Sequence, residues 1–314
     1  MKRALPSITP PDYNSRASPR APYIPKGITM INSLLITTGG TISCVPSDEG
    51  LKPGLKGADL LRYSNYWCDV LDFKLIDSSV MTDPERQEIA RLLWENRDRY
   101  DSFVITHGTD SMAYTAAYLA CALQNFDKTV VLTGSQLPIV YPNTDAVDNL
   151  NLALKTALTG EYYGICIAIG GRLLPAESVT KMETEGFAAF DNVDKSYLTH
   201  PIPKPTEKAE YLEPKTDMVG VIYITPNLSR GVILSYVAMD AVLVLLLGAG
   251  GMPAVCEAAL ERLQAAGVKV YIKSQCMYGK VEEIYAAHSG VKKFIPVKDE
   301  SIEYTIYKIM FDLE

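Results

Sequence analysis

Two threonines and an aspartate stand where strands should end. Leu34-Leu35-Ile36-Thr37-Thr38 closes on Gly39-Gly40-Thr41-Ile42, and Phe103-Val104-Ile105-Thr106 closes on His107-Gly108-Thr109-Asp110. Apolar runs of this length bounded by glycine read as buried strands. Glycine permits a sharp turn and leaves little bulk around it. Each threonine hydroxyl is therefore expected at the carboxyl end of a strand, where open α/β sheets bind ligands. Two such mouths in one chain point to nucleophile chemistry, because a hydroxyl attacks well only once a neighbouring base takes its proton.

Other roles fit the same residues. Thr41 and Thr109 suit helix N-caps, with Asp110 favoured at the positive end of a helix. The glycines also suit a phosphate cradle at a helix N-terminus. The nucleotide signatures are missing, however: there is no G-x-x-x-x-G-K-[ST], and no G-x-G-x-x-G follows the first strand. Thr133-Gly134-Ser135 closes a third apolar run in the same style. Asp77-Ser78-Ser79 follows a fourth and offers two more hydroxyls, in a pattern that simple turn chemistry also produces.

The elements that must position these groups alternate between strand and helix. Strands are expected near 33–38, 73–77, 102–106, 129–133 and 164–169. A helix from about Asp83 opens on a capping box of Thr82 and Glu85, with Pro84 in its first turn and Ile89, Leu92 and Leu93 on one face. A second begins after Asp110 and presents the small residues Ala113, Ala116, Ala117 and Ala120 beside Met112; a third runs from about Thr144 to Leu158. His200 to Lys215 carries prolines at 201, 203, 205 and 214 and many charges, and reads as a linker. Beyond it, strands are expected at 219–224, 241–247 and 268–273, with helices between them and one at the C-terminus. This rhythm predicts an α/β protein of two parallel-sheet domains joined by right-handed crossovers. The divisions are a mobile tail over 1–29, a larger N-terminal domain with the active-site loops over 30–199, a linker over 200–217, and a smaller Rossmann-like C-terminal domain over 218–314.

Composition narrows the function classes. The 314 residues are 47% hydrophobic and 21% charged, as expected of a soluble globular chain. A formal net charge of -7 argues against nucleic acid or an anionic membrane as partner. The six cysteines form no Cys-x-x-Cys pair, which suggests a reducing compartment. The three histidines, His107, His200 and His288, lack ligand spacing, so neither a metal nor another cofactor is expected. Prolines interrupt the first residues where a secretory signal needs an apolar core, and Ala241 to Leu247 is too short to span a bilayer. The expected location is the cytoplasm.

Thr38-Gly39-Gly40-Thr41-Ile42 and His107-Gly108-Thr109-Asp110-Ser111-Met112-Ala113-Tyr114-Thr115-Ala116 resemble the two signatures of the bacterial-type asparaginase family. Thr133-Gly134-Ser135-Gln136-Leu137-Pro138 and Ser274-Gln275-Cys276-Met277 resemble its cytoplasmic, type I branch. The similarity runs from about Leu34 to the C-terminus. It implies an amidohydrolase that converts L-asparagine to L-aspartate and ammonia, working as a homodimer or homotetramer. Thr41 would attack the side-chain amide carbon, and Thr109, Asp110 and Lys181 would form a second hydroxyl-acid-base set. Ser78 would grip the substrate α-carboxylate and Asp110 face its α-ammonium. The backbone at Ser135 would meet the substrate amide, and Gly40 and Thr109 would offer oxyanion-hole N–H groups. Gly108 and Ser79 complete the expected binding set. Ser79 replaces a glutamine of some glutaminase-active relatives, which favours asparagine.

The chain departs from the family pattern in places. The resemblance implies a lid over Ser43 to Gly57 with Gly50, Gly54 and Gly57 as hinges, but Leu51 stands where many members carry a tyrosine against the nucleophile; Tyr285 is a candidate substitute. Gly251 stands where many carry an asparagine that serves a neighbouring subunit. Glu303 aligns with a glutamate that reaches across the dimer. Thr180 and Cys276 match positions near an effector site of some type I enzymes. Leu51 and Gly251 keep open a second reading, a non-catalytic asparagine-binding or sensor protein on the same scaffold.

Overall fold

The computed structural model describes residues 31–48, 50–195, 197–282, 286–297 and 300–313. The expected mobile tail over 1–29 and the candidate Tyr285 lie outside the described residues. The N-terminal half is built on a six-stranded sheet in the order Asp69–Ile76, Ser33–Gly39, Ser102–Thr106, Thr129–Thr133, Gly164–Ile169, Arg172–Pro175. The first five strands run parallel and the last turns back antiparallel.

Alternation across the pleat gives the central strands two cores. Leu34, Ile36, Phe103, Ile105, Val130 and Leu132 pack on one face, against the helices Asp83–Asn96 and Met112–Ala122. Leu35, Val104 and Val131 pack on the other, against Ala146–Thr159. Strands covered on both faces have no polar side to show, which is why they read as continuous apolar runs. The strand expected at 73–77 begins at Asp69, because every residue of this edge strand is exposed or half-buried and its first half has no long apolar run. The capping box forms as expected, with the Thr82 N–H donating to Glu85 Oε2 at 3.0 Å.

The C-terminal half carries a four-stranded parallel sheet, Val219–Tyr223, Ala241–Leu246, Lys269–Ser274 and Ile295–Pro296. Its last helix, Ile302–Met310, opens on Ser301, whose hydroxyl accepts the Tyr304 N–H at 3.1 Å. That helix joins both halves. Tyr307, Met310 and the following Phe311 enter the N-terminal core, with Tyr307 and Phe311 meeting Tyr118 edge-on at 5.2 and 5.3 Å. Ile309 packs beneath Leu243 and Leu245 of the second sheet.

Two expectations are corrected. The 200–217 segment is tied down along its length. Ile202 bridges to Tyr162, Glu210–Tyr211 pairs antiparallel with Leu123–Gln124, and the Leu212 N–H reaches the Ala122 carbonyl at 2.8 Å. Its prolines mark breaks between short pairings, and its few apolar residues dock. In the lid, only Gly50 is a free turn, at φ 118° between the paired strands Cys44–Ser47 and Gly50–Pro53. A methyl group at Gly57 would stand 2.5 Å from Val70 Cγ1, and one at Gly54 2.8 Å from Val45 Cγ2, so both are packing positions rather than hinges. Among the described residues no helix is long and apolar enough to cross a membrane.

Candidate active site

Ser33–Gly39 and Ser102–Thr106 are adjacent parallel strands whose last aligned pair is Thr37 and Thr106. The loops bearing Thr41 and Thr109 therefore leave the same sheet edge. Thr38 ties the two strand ends together, its hydroxyl donating to the Thr106 carbonyl at 2.9 Å. Gly40 follows at φ 75°, a conformation that excludes most side chains. A methyl group there would stand 2.4 Å from the Gly108 nitrogen and 2.7 Å from the His107 carbonyl carbon. One on Gly108 would stand 2.4 Å from Ser78 Oγ, and one on Gly134 would stand 2.4 Å from the His107 oxygen. Four loops thus close on one another: at Gly40 and Gly134 backbone touches backbone, and at Gly108 backbone meets the Ser78 side chain.

Thr41 opens a single 3-10 turn, Thr41–Ser43, and is half-buried. Its hydroxyl has no hydrogen-bond partner among the described residues. Thr109 is 6% exposed, and its Oγ1 accepts from Lys181 Nζ at 2.9 Å. The same ammonium donates to Asp110 Oδ1 at 2.7 Å. The lysine side chain is 19% exposed, whereas that of Asp110 is 62% exposed and leaves its second oxygen open to solvent. Lys181 comes from Val179–Lys181, a three-residue strand paired antiparallel with Phe190–Asn192.

Ser78 is buried under Gly108, and its carbonyl accepts the Ser111 hydroxyl at 2.6 Å. Ser79 is exposed, its N–H held by Asp77 Oδ1 at 2.9 Å. Ser135 is fully buried, and its hydroxyl donates to the Leu137 carbonyl at 2.6 Å, which leaves only its backbone for a ligand. One expected role needs correction. The Gly40 N–H already donates to the Ile76 carbonyl at 3.3 Å, so it is not a free oxyanion donor. Glu303, expected to reach across a dimer, is 7% exposed and turns into its own chain, where Oε1 accepts the Thr180 hydroxyl at 2.7 Å. Burial holds its carboxyl above the usual range.

Several supporting residues escape sequence reasoning. Asp145 accepts the backbone N–H groups of Gln136 and Leu137 at 3.0 and 3.1 Å, and the Asn149 amide at 3.0 Å. Asn149 also donates to the Gly134 carbonyl at 3.0 Å and accepts the Gly170 N–H at 3.0 Å. Together they fix the Gly134–Leu137 loop. The signal was a polar pair at i and i+4 on the face of a helix turned to the sheet edge. His107 is wholly buried beneath the Gly108 turn, and desolvation, aided by the Arg86 cation, pulls its pKa down to about 4 against a carbonyl contact that raises it. Leu51 is 42% exposed on the lid strand.

Hydroxyls, an amine and a carboxylate thus share one sheet edge, an arrangement suited to proton relay around an acyl group. A family model described as asparaginase, N-terminal, matches residues 32–211. The L-asparaginase of Thermococcus kodakarensis is 33% identical over 311 residues, covering 89% of this chain and 92% of that protein. L-asparaginase 1 of Escherichia coli K12 is also 33% identical, over 87% of this chain and 89% of its own. The solved structure of the thermostable T. kodakarensis L-asparaginase superposes with a TM-score of 0.83 at 29% identity, covering 90% of this chain and 92% of the other. With the family model spanning more than half of its length and relatives matching nearly all of it, the chain belongs to the asparaginase family.

Proposed function

We propose that the protein hydrolyses L-asparagine to L-aspartate and ammonia, with Thr41 as nucleophile. The observation that carries the reading is the Lys181 amine at hydrogen-bond distance from both the Thr109 hydroxyl and Asp110, at the sheet edge that also bears Thr41. The Thr41 oxygen bonds to the amide carbon and the carbonyl electrons move onto oxygen. Because Thr109 Oγ1 accepts from Lys181, its own hydrogen is free to point at the substrate. Thr109 gives that proton to the departing nitrogen and is reprotonated by Lys181, while the proton lost by Thr41 returns to the lysine through solvent. The C–N bond breaks, ammonia leaves, and a threonyl ester remains. Water then adds to the ester carbon, aspartate departs, and Thr41 regains its hydrogen.

Binding follows the same geometry. The open oxygen of Asp110 receives the α-ammonium, Ser78 the α-carboxylate, and the Gly134-Ser135 backbone the side-chain amide; Gly40 and Gly108 let the loops around the substrate close on one another, and Ser79 borders it. We further propose a cytoplasmic homodimer or homotetramer, consistent with the likeness to L-asparaginase 1 and with Val221 and Tyr223 exposed on an edge strand. The test is ammonia release across amide substrates for the wild type, Thr41→Ala and Lys181→Met. Turnover of asparagine by the wild type and its loss in both variants is expected. Calorimetric binding of asparagine without turnover by the wild type would make the protein a sensor instead.

A further inference from the structure

Beneath the Gly108 turn runs a chain of buried hydrogen bonds whose directions are fixed by their ends. The Gly108 carbonyl can only accept, so the His107 Nδ1 that lies 2.7 Å from it must carry the ring proton. A neutral ring then has a bare Nε2, which accepts the Thr115 hydroxyl at 2.9 Å. Thr115 Oγ1 in turn accepts Arg86 Nε at 3.2 Å. Arg86 Nη1 donates to Asp83 Oδ1 at 2.8 Å, and the same oxygen receives the Tyr307 hydroxyl at 2.7 Å. His107, Thr115, Arg86 and Tyr307 are all buried.

The chain ends on a peptide group that matters. In a trans peptide the carbonyl and the following N–H point in opposite directions. Drawing the Gly108 carbonyl inward to His107 therefore turns the Thr109 N–H the opposite way, out of the core. That N–H has no hydrogen-bond partner among the described residues, whereas the Gly40 N–H is taken by Ile76. An amide aimed at a developing negative charge stabilises a transition state only if its direction is set beforehand.

We propose that His107 is a positioning residue: its neutral, Nδ1-protonated ring holds the Gly108 carbonyl inward and so orients the Thr109 N–H as the oxyanion donor, with Thr115, Arg86, Asp83 and Tyr307 holding the ring. The role rests on the amide-hydrolase reading above. The two ring nitrogens have separate tasks, and they can be separated. An asparagine at 107 places its amide nitrogen where Nδ1 stands and keeps the Gly108 bond. A glutamine reaches the Nε2 position and keeps the Thr115 bond.

His107→Asn and His107→Gln are compared with wild type for kcat and KM on asparagine and for the urea unfolding midpoint. Tautomers are read from imidazole 15N resonances, which three histidines keep assignable. His107→Gln is expected to keep its midpoint and its KM within about twofold while kcat falls about tenfold or more, because the lost alignment acts only in the transition state. His107→Asn is expected to lose midpoint but keep kcat within about threefold. Wild type should show an Nδ1–H ring. Variants that lose kcat in parallel, or a His107→Gln effect confined to KM, overturn the proposal. An active wild type with an Nε2–H ring sinks the His107 role alone, and a wild type that releases no ammonia sinks the hydrolase reading and the oxyanion role with it.

Discussion

Acid should unfold this protein partly through His107, and the size of the effect follows from its burial. The ring is 0% exposed, and desolvation with the nearby Arg86 charge brings its pKa from 6.5 down to about 4. The unfolded chain therefore binds a proton that the folded chain refuses, and stability rises with pH between these values. The contribution is complete above pH 6.5 and lost as pH falls through 4. Between about pH 7.5 and about pH 5 it amounts to about 2 kcal/mol, approaching about 3 kcal/mol at more acid pH. Other groups titrate in the same range. Glu177 and Glu303 are held above the usual carboxyl range by burial and oppose the trend, since protonating them favours the fold. The histidine is isolated by difference. Urea unfolding of wild type and His107→Asn is followed at both pH values. The variant is less stable at about pH 7.5 because Thr115 loses its acceptor, and the gap narrows by about 2 kcal/mol at about pH 5. An unchanged gap would refute the reasoning, because it would mean the native ring binds protons as readily as the unfolded one.

Gly40→Ala, forced to φ 75° with its methyl 2.4 Å from the Gly108 nitrogen, must push the Thr109 loop aside; activity should fall about 10²-fold, measured as kcat/KM for ammonia release. Asp145→Ala leaves Gln136, Leu137 and Asn149 donors unpaired in a site that is 7% exposed; a loss of about 3 kcal/mol in urea unfolding is expected. A thiol reagent should label Cys276 in the native protein and the other five cysteines only after unfolding. All six are free but five are buried, and burial pushes Cys68 and Cys166 up to about 12 and Cys44 up to about 11. Mass mapping of the labelled peptide checks it.

Much of the fold was legible because the central strands lie between two helical layers. Ser102–Thr106, Thr129–Thr133 and Gly164–Ile169 occupy the residues where apolar runs place them. The edge strand and the 200–217 segment were less legible, because half-exposed pairings leave only scattered apolar residues and their prolines suggest a free linker. At the site, the glycine-threonine turns announce themselves locally. Lys181 does not: it stands in a three-residue strand with no periodicity of its own, and family resemblance alone nominated it. The supports beneath the turns were out of reach for a different reason. Tyr307 and Asp83 are 224 positions apart, and no local pattern records a bond across that distance.

That long-range bond links the second domain to the proposed site in the first. Glu303 and Tyr307 are four residues apart on the C-terminal helix and so lie on one face. The first holds Thr180, the neighbour of Lys181; the second begins the chain of bonds that ends on Gly108, the neighbour of Thr109. The two partners of the 2.9 Å Lys181–Thr109 bond thus each follow a residue tied, directly or through other side chains, to the same helix. On its other side Ile309 packs against Leu243 and Leu245 of the second sheet, so the helix cannot shift without disturbing both cores. A small displacement of that helix would move the amine and the hydroxyl by different amounts, and proton transfer between them falls off steeply with misalignment. On the proposed mechanism the C-terminal sheet therefore supports the helix behind the relay, although it supplies none of the proposed relay's own groups.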